Sequence, residues 1–134
     1  MPLHRAATCA RCHHAVDLIR GASGHTGMLR SWVAYHCLHC GQSMEGEGVG
    51  PLPPDERLAL LAAEGEYTLR VDEEGERALQ ATQQLRALLD LPMARAMAMR
   101  RSMPGRVFSG LQAECEWLAV ALTSTGWRAS VEPP

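Results

Sequence analysis

The chain contains no lysine: all 13 of its basic residues are arginine, set against 15 Asp and Glu. A general nucleic-acid binder relies on bulk positive charge, and a near-neutral balance argues against that class. Aromatic residues are scarce as well, three Trp, two Tyr and one Phe, so the core has to be built from Leu, Ala, Val and Met. No stretch approaches the roughly 18 apolar residues that a membrane-spanning helix needs. The opening Met-Pro-Leu-His-Arg has no apolar run behind it, so no signal peptide is expected and a cytoplasmic setting is. A Gly-rich phosphate loop, a nucleophile elbow and a His-Glu-x-x-His run are all missing. Those are common signatures of nucleotide binding, acyl hydrolysis and zinc proteolysis, and the expectation is a protein that is not an enzyme.

What is present is cysteine in a pattern. Cys9-Ala-Arg-Cys12 and Cys37-Leu-His-Cys40-Gly41 form two Cys-x-x-Cys pairs 24 residues apart. Each spacer lets both sulfurs of one tight turn point at the same ion, so each pair supplies half a cage. Zinc suits such a site, because it imposes no ligand-field geometry and binds soft thiolates at about 2.3 Å. Four cysteines leave no open coordination position, so one structural zinc is the expected cofactor. A redox dithiol is the competing reading of the same pairs. His13, His14, His36 and His39 flank the cysteines. One reading has a histidine replace a cysteine as ligand; the other has them support the ligands from behind or face water. Cys115 falls on an apolar helical stripe without a neighbouring base and reads as a small core residue.

Residues 1–43 read as a zinc ribbon. Residues 15–20 and 30–36 are β-rich, and Gly21-Ala-Ser-Gly24-His-Thr-Gly27 turns between them because glycine permits positive φ. Residues 44–54, with their glycines and prolines, read as a linker. Residues 55–134 then form an α/β domain with a short leading helix over 55–64, carrying Leu58, Leu61 and Ala62 at helical spacing. Its strand at 67–71 precedes three helices. The first has Ala78, Ala81, Leu85 and Leu88 on one stripe, the second Met93, Ala96, Met99 and Met103, the third Leu111, Cys115, Leu118 and Leu122. Arg106-Val-Phe108 is a strand or an extended link, and residues 127–131 close the sheet. The fold class is therefore α+β: a small β zinc ribbon followed by a β-α-α-(β)-α-β sandwich.

Residues 66–132 resemble the C-terminal domain of the bacterial ribosomal stalk protein, which binds translational GTPases. The resemblance is carried by Tyr67, Leu69 and Val71, then Gly75, Leu85 and Arg86, then Leu91, Met93, Ala96 and Met99 through Pro104, Val107 and Gly110. It implies the sandwich fold and a partner-binding face on the first two helices. Arg86 matches one basic position of that face, where other basic positions carry Ala78, Gln83, Ala94 and Met97. The Clp-protease adaptor that captures N-terminal degradation signals shares this fold. Its substrate-holding Asn-Asp pair and His correspond here to Asp72-Glu73 and Ser102.

Arg95, Arg100, Arg101 and Arg106 lie in a stretch with no acidic residue between Asp90 and Glu114. With Arg86 and Met97 they make the candidate surface for a protein partner, an acidic one by charge. The function expected is a bacterial adaptor that binds a protein through its helical face. The alternative is a ribosome- or nucleic-acid-associated zinc ribbon, with Arg11, Arg20, Arg30, Trp32 and Tyr35 contacting phosphates and bases.

Overall fold

The computed structural model describes residues 2–134. An antiparallel meander of four strands comes first: β1 (Leu3–Thr8), β2 (Ala15–Ser23), β3 (Arg30–His36) and β4 (Ser43–Val49). A meander puts its first and third turns at one end and its second at the other. The first and third turns are the two cysteine pairs, so the topology alone carries them to the same place. One face of the sheet closes beneath them, with Val16 opposite Ala7 and Tyr35 opposite Met44.

Two of these strands depart from the expectation. β1 has no apolar alternation, and β4 lies where a linker was expected. The ladder explains β4, since every residue from Ser43 to Val49 has a partner on β3. Gly46 and Gly48 weaken a strand's intrinsic preference, but the neighbouring strand supplies the missing order. The connection shrinks to residues 50–53. Gly24 and Gly21 also have a different reason to be glycine than the turn reading gave. Only Gly27 in that stretch has positive φ. A Cβ on Gly21 would sit in the Trp32 ring, and one on Gly24 would strike the Ala113 carbonyl and the Trp117 backbone.

The rest of the chain follows as α1 (Pro54–Glu64), β5 (Tyr67–Val71), α2 (Gly75–Leu89), α3 (Met93–Arg101), β6 (Gly105–Gly110), α4 (Gln112–Thr125) and β7 (Ala129–Glu132). The uncertain segment at 106–108 is thus a strand. The three strands run β6-β5-β7, all antiparallel, with β5 central. Leu69 and Val71 enter a core completed by Ala81, Leu85, Met99, Cys115, Leu118 and Leu122. The stripe on α4 is buried as expected, and that on α2 is buried at Ala78, Ala81 and Leu85 with Leu88 partly so. On α3, Ala96 and Met99 are buried while Met93, at the first turn, is 56% exposed. On α1 the expected stripe is displaced: Leu58 is 64% exposed, and Glu56 and Leu60 face inward instead. The reason is an ion pair across the two units. Glu56 Oε2 forms an ion pair with Arg20 at 2.8 Å, and Oε1 accepts from Arg5 at 3.3 Å, both arginines lying on the four-strand sheet. Together with Gly24 against α4, that contact packs the two units against each other.

Buried charge recurs at Glu73, which is fully enclosed just before α2. It accepts from Arg77 Nε at 2.8 Å and from the Arg128 amide at 2.8 Å. These donors, Arg77 first and then the Arg128 amide, hold its carboxyl down at about 2 against the ordinary 4.5. Among the described residues no helix is long and apolar enough to cross a membrane.

Candidate metal centre

Both cysteine turns fold the same way. The Cys9 amide donates to the His14 carbonyl at 2.8 Å and the Cys9 carbonyl accepts from the His13 amide at 2.9 Å. In the second turn Cys37 donates to Gln42 at 2.8 Å and accepts from Gly41 at 2.9 Å. The residue after each pair takes positive φ, 62° at His13 and 78° at Gly41. Glycine does this freely, while His13 does it under the same hydrogen bonds.

The sulfurs of Cys9, Cys12, Cys37 and Cys40 all lie within 4.8 Å of one another. Cys9 and Cys40 are 3.7 Å apart, Cys12 and Cys37 3.5 Å. A tetrahedron with metal–sulfur bonds of about 2.3 Å has sulfur–sulfur edges of about 3.8 Å. The residues present therefore fit a divalent ion such as zinc. Cys9 and Cys37 are completely buried, Cys12 and Cys40 partly so.

Electrostatics point the same way. The Cys12 amide, aided by that of Arg11, lowers the Cys9 thiol to about 6, and the Cys40 and His39 amides lower Cys37. Cys12 moves oppositely, to about 12: the His14 amide favours its thiolate, but burial and the neighbouring sulfurs outweigh it. Four thiolates packed this closely repel one another, and a divalent cation among them removes the conflict.

The histidines do not join the cluster. His14 and His39, one from each turn, stack with ring centroids 3.5 Å apart, and His36 Nδ1 pairs with the Ser43 hydroxyl at 2.8 Å. Sequence reasoning missed Tyr35 as a supporting residue. Its buried hydroxyl accepts from the Ala10 amide at 3.1 Å and lies 3.9 Å from Cys9 Sγ. Only its place two residues before Cys37 hinted at that role. With Tyr35 buried and Arg20 held by Glu56, two of the five residues considered for contacting nucleic acid are already engaged. Cys115 is buried as expected, and burial pushes its thiol up to about 12.

The arginine surface is less unified than its sequence. Arg86 donates to the Leu91 carbonyl at 3.1 Å across the turn between α2 and α3. Arg106 is held by Glu132, with Nη2 at 2.9 Å, so the acid-free stretch meets an acid in space. On α3, at about 100° per residue, Arg95 and Arg100 are about 140° apart and flank the buried Ala96/Met99 stripe on opposite sides. Arg100 is half-buried, with an unpartnered Nε. Met97 and Arg101 point outward together, Met97 being 38% exposed. Arg95 lies over a cleft of about 430 Å³ lined by Leu89, Leu91, Met99, Val107 and Phe108. Compared with protein-family models, curated proteins and solved structures, the chain matches none of them.

Proposed function

We propose that the protein is a non-catalytic adaptor in which a structural zinc ion closes a β module that precedes a stalk-like α/β domain, and that the α/β domain captures a protein partner. The observation that carries this is the closed four-sulfur cage. All four positions around the ion come from the chain, so the metal organises structure and offers no site to a substrate. The β5-α2-α3-β6-α4-β7 order supports the likeness to the ribosomal stalk C-terminal domain, whose first two helices bind its partners. Arg86, Met97 and Arg101 on α2 and α3 are exposed and offer two cations to an acidic protein surface in the cytoplasm.

Two measurements test the reading. Elemental analysis of the purified full chain is expected to give one zinc per chain, with thiols unreactive until a chelator is added. Affinity capture from a bacterial lysate is expected to retain a discrete protein with the native chain and lose it with the Arg86→Glu, Arg101→Glu variant. Capture that is indifferent to both reversals removes this surface.

A further inference from the structure

The cleft between α3 and β6 has a composition that defines its occupant. Its floor is apolar, made of Leu89 at the end of α2, Leu91 in the turn that follows, Met99 of α3, and Val107 and Phe108 of β6. Two guanidiniums border it. Arg57 reaches in from α1 but is neutralised by Glu114, at 2.8 Å and 2.9 Å. The Arg95 guanidinium has no ion-pair or hydrogen-bond partner among the described residues. An apolar slot with one uncompensated cation rejects a purely apolar group, because covering Arg95 would strip its water and return nothing. It equally rejects a purely anionic one, which would leave five apolar side chains uncovered. β6 is an edge strand whose outer side has no strand partner among the described residues, so an extended chain can run beside it.

We propose that this cleft takes an extended segment of the partner protein in which an apolar side chain is followed by a carboxylate. The apolar group fills the slot, and the carboxylate meets Arg95 in a charge-assisted pair. The inference rests on the partner-binding reading above but places the specificity at Arg95 and β6 rather than on the outward face of α3.

The test is an amide NMR titration of the full-length zinc-loaded protein with a ten-residue Gly/Ser peptide carrying a central Phe-Asp. Shifts are expected at Arg95, Val107, Phe108 and Ser109. Changing the peptide to Phe-Lys, or the protein to Arg95→Glu, is expected to weaken binding by about tenfold or more. Combining the two changes should restore most of it, which shows that the variant is folded and that charge is what is read. Absence of shifts at these β6 amides at millimolar peptide overturns the proposal. So does equal binding of the Phe-Lys peptide to the native protein, or displacement of the bound peptide by a ten-residue oligouridine. If Arg86→Glu, Arg101→Glu abolishes lysate capture while the cleft stays silent, the adaptor reading survives and the cleft fails. If the peptide binds but capture is indifferent to those reversals, the outward surface fails and the cleft stands.

Discussion

The two halves of this molecule are held together by different means. The α/β unit has a core of eight buried residues, from Leu69 and Val71 through Leu118 and Leu122. The four-strand sheet has four, and two of those are cysteines. A small sheet with so little apolar burial cannot balance the entropy of ordering its chain by packing alone. A metal ion held by the four sulfurs would supply the difference, whereas the α/β unit needs none. The contrast predicts its own most damaging test. Removing the metal, by chelation or by Cys12→Ser with Cys40→Ser, should unfold residues 3–49 while amides of 67–132 keep their native dispersion. Structural zinc in small fingers contributes on the order of 10–16 kcal/mol at neutral pH, so this is the largest effect anticipated. An apo-protein with β1–β4 intact would erase the contrast.

The next largest effect lies in the other half. Leu118→Ala empties a fully buried site between α4 and the sheet and should cost about 2–5 kcal/mol in urea unfolding. It should leave zinc stoichiometry at one. Loss of metal in that variant would mean that the two halves fold as one cooperative unit.

Acid should also separate the halves. Glu73 is held near 2 instead of 4.5 because its ionised form accepts from Arg77 and from the Arg128 amide. A folded-state value below the unfolded one means that its stabilisation is complete above about pH 4.5 and is lost as pH falls toward 2. Acid melting of the α/β unit, followed by Trp127 fluorescence, should therefore steepen in that window. Glu73→Gln should be less stable at neutral pH and should lose that part of the acid dependence.

The sequence carried the four-sulfur cluster because cysteine spacing is local: two residues between sulfurs already fix half a cage. The helices of the α/β unit were legible for a similar reason, since Ala81, Leu85, Leu118 and Leu122 repeat with the helical period. What was hidden depends on partners far away in sequence. Residues 44–49 looked like linker because Gly46 and Gly48 disfavour a strand, yet β3 orders them. Leu58, Leu61 and Ala62 marked the expected stripe on α1, yet Arg5 and Arg20, 51 and 36 residues before Glu56, hold that carboxylate inward while Leu58 lies outside. The cleft at Arg95 draws on four elements, and no spacing rule connects Leu89 to Phe108.

The seam between the halves gives a milder prediction. Gly24 is buried against the α4 backbone, so Gly24→Val should force the β2–β3 turn off α4, at about 1–3 kcal/mol by the usual cost of overpacking. The expected reading is shifted amides at Ala113 and Trp117 with zinc retained and both cores intact. Unshifted amides would show that the turn merely rests on α4.

Surface charge should matter least. Arg106 makes two hydrogen bonds to one carboxylate oxygen of Glu132, at 3.1 Å and 2.9 Å, a geometry that looks strong on distance alone. Its side chain is mostly exposed, however, with 69% of it open to solvent. Water screens the pair, and ordering a long side chain opposes the Coulomb gain. Arg106→Ala should therefore change unfolding stability by no more than about 1 kcal/mol, an effect that salt near 1 M largely removes. A larger loss would mean that β6 depends on this pair for its place at the sheet edge. The wall of the Arg95 cleft would then be held by charge on one side and by apolar packing on the other.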